Sequence, residues 1–254
     1  MLLALDVGNS NLVAGLFDGE TLAASWRLTT ARAQTADEFG WTLGGLLAAH
    51  GLTPASVSAA IVASVVPPLD AMLRAALARQ FGVEPLFVGP GLKTGMAIRY
   101  DPPADVGADR IANAVAGYAA WGGPLIIVDF GTATTFDVVS ARGEYLGGVI
   151  CPGIGISAEA LFARTARLPR VELRQPPRVL GNSTAASIQS GLFYGYLSLV
   201  DGLIERLRAE TGAATRAVAT GGLAPLLAPH SRHIEASDEM LTLQGLRLLW
   251  ELNR

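Results

Sequence analysis

Cysteine is almost absent from this sequence. Cys151 is the only one in 254 residues, so no disulfide can form within the chain, and it reads as a small buried side chain rather than a nucleophile. Histidine is nearly as scarce: His50, His230 and His233 offer no ligand spacing beyond the weak His230-x-x-His233 pair in a polar stretch. They read as surface residues, which excludes a histidine-built metal centre. Charged residues make up only 16% of the chain and the formal net charge is −3, so electrostatics gives no ground for a nucleic-acid partner. No apolar run approaches the roughly 18–20 residues that span a bilayer. Met1 to Leu5 has no basic start and is followed at once by Asp6, which does not fit a secretory signal, and a cytoplasmic protein is expected.

What is abundant points to a compact α/β enzyme. Half the residues are hydrophobic, with 29 glycines and 14 prolines, and the length allows one large domain or two of about 125 residues. Residues 2–7, 11–18 and 21–28 read as an antiparallel meander separated by Gly8-Asn9-Ser10 and Asp18-Gly19-Glu20. Thr35-Ala36-Asp37-Glu38 is a capping box that opens a helix to about His50. Ser58 to Val66 predicts a buried strand, Pro67-Pro68 the first turn of a helix to about Phe81, and Pro85 to Val88 a short strand. After a turn-rich stretch from Gly89 to Ala108, a helix is expected from about Asp109 to Ala120.

The second half restates the first. Pro124 to Asp129 is again an apolar strand ending in Asp-x-Gly with small hydroxyl residues behind it, 123 residues after Asp6. Thr135–Val139 and Glu144–Ile150 complete a second meander. Helices near 153–165, 183–210 and 240–252 and strands at 216–220 and near 233–236 follow. An internal duplication is the economical reading, with domains at 1–115 and 116–254.

One Asp-x-Gly is an ordinary turn, but two in the same strand-turn-strand context suggest a polyphosphate site. Glycine lets backbone amides approach phosphate, Asn9, Ser10, Asn11, Thr132, Thr134 and Thr135 supply neutral donors, and the carboxylates can hold cations. Two other phosphate motifs fail. Gly91-Leu92-Lys93-Thr94 lacks the glycine before the lysine, and Gly153-x-Gly155-x-x-Ala158 follows a meander strand rather than opening a βαβ unit. The second reads instead as a glycine-rich helix start facing a nucleotide. Tyr100-Asp101-Pro102-Pro103-Ala104-Asp105-Val106-Gly107-Ala108-Asp109-Arg110 supports two readings equally. Asp109 caps a helix, or Asp109 takes a hydroxyl proton while Arg110 pairs with an anionic substrate.

At these residues the chain resembles the type III pantothenate kinases, also called Bvg accessory factor homologues, of the actin-like and hexokinase-like ATPase superfamily. The resemblance rests on Asp6-Val7-Gly8-Asn9-Ser10-Asn11, Tyr100 with Asp101-Pro102, Gly107-Ala108-Asp109-Arg110, Asp129-Phe130-Gly131-Thr132-Ala133-Thr134, Gly147-Gly148 with Pro152-Gly153, and Thr184 in Asn182-Ser183-Thr184. These occur in family order over essentially the full length. The resemblance implies two duplicated actin-like (ribonuclease H-like) α/β domains, each a mixed sheet flanked by helices, with ATP in the cleft between them. It implies ATP-dependent phosphorylation of pantothenate to 4′-phosphopantothenate, the first step of coenzyme A synthesis.

Asp6, Val7, Gly8, Asn9, Ser10, Asn11, Leu12 and Val13 would form the ATP phosphate loop, with Asp6 near magnesium and Thr132 as a further ATP contact. Asp109 would be the proton acceptor, and Tyr100, Gly107, Ala108, Asp109, Arg110 and Thr184 the pantothenate contacts. Asp129 would bind a monovalent cation, potassium or ammonium, and the protein would be a homodimer. Ser10 stands where the family commonly has threonine, which keeps the hydroxyl and loses a methyl group. The competing readings are another kinase or phosphatase of the superfamily, or a regulatory protein without enzymatic activity.

Overall fold

Leu2, Leu3, Ala4 and Leu5 are buried in succession, as a strand covered on both faces must be. In the computed structural model, which describes residues 1–254, this strand is β1 (Leu2–Val7), the centre of a five-stranded sheet. It pairs antiparallel with β2 (Asn11–Asp18), which pairs antiparallel with β3 (Thr21–Thr29), the expected meander. α1 (Ala36–Ala49) then leads to β4 (Ala59–Ser64), parallel to β1, and α2 (Asp70–Phe81) to the short β5 (Leu86–Phe87). The order is β3-β2-β1-β4-β5. The capping box is formed: Glu38 N donates to Thr35 Oγ1 at 3.3 Å, and Thr35 N donates to Glu38 Oε2 at 2.8 Å. Pro67-Pro68 occupy a 3₁₀ turn just before α2 rather than its first turn.

Strand alternation divides the residues of β1 between two faces. Leu3, Leu5 and Val7 pack with Phe39, Leu43 and Leu47 of α1 and Leu73 and Leu77 of α2. Asp6 therefore lies on the other face. That face is covered by α7 (Leu241–Asn253), which packs on β1, β2 and β4. The first compact unit accordingly comprises Met1–Met96, Asp101–Ala116 and Leu241–Arg254.

The second unit comprises Ala97–Tyr100 and Gly117–Met240. Its strands are β6 (Ala97–Ile98), β7 (Leu125–Phe130), β8 (Ala133–Val139), β9 (Glu144–Pro152), β10 (Arg216–Thr220) and β11 (Ile234–Ser237), in the order β11-β10-β7-β8-β9-β6. Without β6 this repeats the first sheet strand for strand, with β7 in the place of β1. Ile126, Val128 and Phe130 pack under α5 (Thr184–Thr211) with Phe193, Leu197, Val200 and Ile204. Asp129 faces the opposite side. α4 (Ile154–Ala163) and the short α6 (Ala224–Leu227) complete the unit.

The boundary read near 115/116 falls inside α3 (Ala108–Trp121), whose residues to Ala116 belong to the first unit and from Gly117 to the second. Three local readings differ. β6 lies in the stretch read as turns, because two residues give no periodicity to detect. Cys151 is half-buried, and so is His233, which contacts Glu205 and Arg208. No helix is long and apolar enough to cross a membrane.

Candidate active site

In the first unit, Asp6 sits next to the last residue of β1, paired with Val13 on β2 and Ala63 on β4. Directly after it the chain turns: Gly8 N donates to Asn11 O at 3.0 Å, and Asn9, Ser10 and Asn11 are exposed. The turn is tied down from outside the hairpin. Thr30 Oγ1 donates to Gly8 O at 2.7 Å, Thr30 N donates to Ser10 O at 3.0 Å, and an Arg32 guanidinium nitrogen donates to Asn9 Oδ1 at 3.1 Å. A held, exposed turn of small polar residues at the C-terminal end of a central strand is where α/β sheets receive ligands. Leu12 is buried and Val13 half-buried in β2, so the later part of the expected phosphate loop is strand.

Asp109 lies in the first turn of α3, one residue inside the helix, so it does not occupy the capping position. Arg110 N donates to its Oδ1 at 2.8 Å, and a Cβ at Gly107 would lie 2.5 Å from the same oxygen. Glycine at 107 is thus what lets the carboxylate fold back over the helix start. Burial pushes the Asp109 carboxyl above the usual carboxylate range, against the lowering effect of the backbone bond from Arg110 and of the Arg110 charge. α3 is held from behind. Thr242 Oγ1 donates to the fully buried Asn113 at 2.7 Å, and a Cβ at Gly245 of α7 would lie 2.0 Å from Ala112 O, so the two helices cross backbone to backbone.

In the second unit, Asp129 repeats the position of Asp6, paired with Thr135 on β8 and Thr220 on β10. Its turn is one residue shorter: Phe130 pairs with Thr134, whereas Val7 pairs with Leu12. Gly131 N donates to Ala133 O at 3.1 Å, and Gly153 N, at the start of α4, donates to Thr132 O at 3.0 Å. A Cβ at Gly153 would lie 2.1 Å from Thr132 O, so the expected glycine-rich helix start packs directly on the Thr132 turn. Tyr100 follows β6, whose pairing with β9 brings its ring to 6.3 Å from that of Tyr145 and against Gly147. Thr184 is exposed at the first position of α5, after a Ser183 cap that accepts from Ala186 N at 3.2 Å.

The second unit also contains a polar pair that the sequence reading passed over. Asp137 is fully buried on β8 and accepts a hydrogen bond from the equally buried Tyr145 hydroxyl at 2.7 Å; Thr135 Oγ1 donates to its other oxygen at 3.4 Å. An aspartate inside the apolar run Phe136-Asp137-Val138-Val139 was the available signal. Asp137 thus joins the Tyr100–Tyr145 contact to the threonine opposite Asp129.

A protein-family model described as type III pantothenate kinase matches residues 2–206, which include every residue considered above from Asp6 to Thr184. The chain belongs to the type III pantothenate kinase family. A type III pantothenate kinase from Anaeromyxobacter sp. (strain K) is 56% identical over 254 residues, covering 100% of both chains. One from Koribacter versatilis is 54% identical, covering 100% of this kinase and 96% of its relative. Solved structures place the fold more broadly. The activator of 2-hydroxyisocaproyl-CoA dehydratase from Clostridium difficile, with bound ADPNP, superimposes with a TM-score of 0.54 at 12% identity, over 99% of this kinase and 94% of that chain. The ethanolamine utilization protein EutJ from Carboxydothermus hydrogenoformans gives 0.56 at 13% identity, over 97% and 89%. This kinase therefore has the duplicated actin-like fold, with two mixed sheets flanked by helices.

Proposed function

We propose that this enzyme transfers the terminal phosphoryl group of ATP to the 4′-hydroxyl of pantothenate, with Asp109 accepting the hydroxyl proton. The carrying observation is the setting of Asp109: half-buried, raised by that burial, and fixed at a helix start by Arg110 N. An alcohol does not ionise unaided near neutral pH, and a carboxylate raised toward the working pH is a better base than an ordinary one, contributing about 10²–10⁴-fold. Arg110, largely buried beside it, suits the carboxylate of pantothenate. Tyr100, Gly107, Ala108 and Thr184 complete the proposed substrate contacts.

The turn after Asp6, from Gly8 through the exposed Asn9, Ser10 and Asn11, suits the ATP phosphates, and Thr132 is the proposed contact from the second copy of the repeat. No three His, Cys, Asp or Glu side chains gather into a cage for a metal. A divalent ion at Asp6 would therefore be shared between that one carboxylate and phosphate oxygens, which is the habit of magnesium. Magnesium bound with ATP supplies positive charge to the phosphoryl group in transfer.

Asp129 is the proposed ligand of potassium or ammonium. Ile150, Ile156, Val179 and Leu180 are exposed in the second unit, which favours a homodimer that covers apolar surface. The single cysteine agrees with a cytoplasmic enzyme, and the acidic balance with small-molecule rather than nucleic-acid partners.

A coupled assay with ATP and pantothenate tests the assignment. Asp109→Asn is expected to lower kcat by about 10²–10⁴; an undiminished rate removes Asp109 as the base. Wild-type activity is expected to rise with potassium or ammonium at fixed ionic strength and Asp129→Asn to lose that response, whereas equal rates in sodium alone remove the cation.

A further inference from the structure

We infer that the Thr220 hydroxyl is a further ligand of the monovalent cation at Asp129. This rests on the reading of Asp129 as a cation ligand and extends it to a residue outside every motif considered above. Thr220 is the last residue of β10 and the parallel partner of Asp129, so the two side chains leave the sheet on the same face. Thr135 is the antiparallel partner of Asp129 on its other side. Three strands thus present a row in the order hydroxyl, carboxylate, hydroxyl.

Thr220 is 1% exposed, and its Oγ1 has no hydrogen-bond partner within the protein. Buried hydroxyls are normally paired. The next residue shows where the carboxylate lies. Gly221 has φ +90°, and a Cβ there would lie 2.4 Å from Asp129 Oδ1. The carboxylate therefore leans over the end of β10, and glycine at 221 leaves it the space.

The molecule carries its own control. In the first sheet the positions equivalent to Thr135 and Thr220 are Val13 and Ala63, the partners of Asp6. The fold accepts apolar residues on both sides of the aspartate, so topology does not require hydroxyls around Asp129. Within the row one carboxylate stands between neutral oxygens, which matches a single positive charge; Asp137, on the same face of β8, accepts from the Tyr145 hydroxyl and from Thr135 Oγ1, so the Thr135 proton points away from the row. Neutral oxygens are what replace the hydration shell of potassium, whereas a phosphate accepting from Thr220 would be repelled by Asp129.

The test is thermal unfolding of the full chain without nucleotide, titrated with potassium chloride against choline chloride at constant ionic strength. The wild type is expected to gain stability saturably with potassium, since a ligand of the native state alone raises Tm. Thr220→Val is expected to have a higher Tm than wild type in choline, because it removes an unpaired buried hydroxyl, and a potassium midpoint at least tenfold higher. Thr220→Ser should keep the wild-type midpoint. If Asp129→Asn abolishes the potassium response and Thr220→Val leaves the midpoint unchanged, the Thr220 assignment is wrong and that of Asp129 stands. Absence of any potassium response in the wild type overturns both.

Discussion

A carboxyl group raised by burial holds its proton more tightly in the folded chain than in the unfolded one, and Asp109 is such a group. Between its ordinary and its raised pKa the native state binds more protons than the unfolded state, so stability falls as pH rises through that window. The contribution is complete below the unfolded pKa and lost above the folded one. Asp109→Asn, which cannot ionise, should therefore melt above the wild type at neutral pH, and the two Tm values should converge below about pH 4, near the ordinary aspartate pKa. A Tm difference that does not change with pH would show that Asp109 carries no folding cost. Asp201 tilts the profile the other way. Burial acts to raise it, but bonds from Ser231 Oγ at 2.6 Å and from Arg232 N and Nε, with the Arg232 charge, hold its carboxyl below the usual range. Its contribution is present at neutral pH and is lost as pH falls through that depressed value. Of these two, only Asp109 was legible in the sequence, because Gly-Ala-Asp-Arg is contiguous. Asp201 and Ser231 are 30 residues apart, and nothing local announces the bond between them.

At the level of elements, apolar runs and caps made the strands and helices readable almost throughout. What they could not convey is where two backbones meet. Gly245 is an example: within α7 it reads as a weak helix residue, yet it is the point at which α7 crosses α3. Alanine in place of glycine inside a helix ordinarily stabilises by about 0.5–1 kcal/mol. At Gly245 the added Cβ would lie 2.0 Å from Ala112 O, and since that oxygen is backbone, α3 must move. Gly245→Ala should instead destabilise, by about 1–3 kcal/mol as for other overpacked sites. Because Ala112 lies three residues beyond Asp109, the rate should fall as well. Gly202, in α5 with open space where a Cβ would go, is the matched comparison and should show the ordinary gain. Urea unfolding of the two variants decides the matter: a gain at both positions would mean that the crossing is not tight.

At the level of the whole molecule, the duplication was readable from two aspartates 123 residues apart, and the structure repeats it as a common strand order. The ownership of the C-terminal helix was not, because periodicity shows that α7 is amphipathic but not which sheet it covers. The contacts assign it to the first sheet: Leu241, Leu243, Leu246 and Leu249 are each 1% exposed or less, and Gly15 of β2 lies against Leu243. Burying four leucines contributes about 6–12 kcal/mol at the usual 1.5–3 kcal/mol each. That is comparable to the whole stability of a typical domain, about 5–15 kcal/mol. A chain ending at Met240 should therefore fail to form a native first unit, although it keeps every strand and every proposed site residue. The second unit contains no residue beyond Met240, so its own core is complete in that truncation. With Trp121→Phe in the shortened chain, so that only Trp26 and Trp41 emit, urea unfolding followed by fluorescence should show no cooperative transition for the first unit, while the helical circular dichroism to which α5 of the second contributes persists. If the shortened chain unfolds cooperatively with the wild-type midpoint, α7 is an accessory and the first unit closes near residue 116.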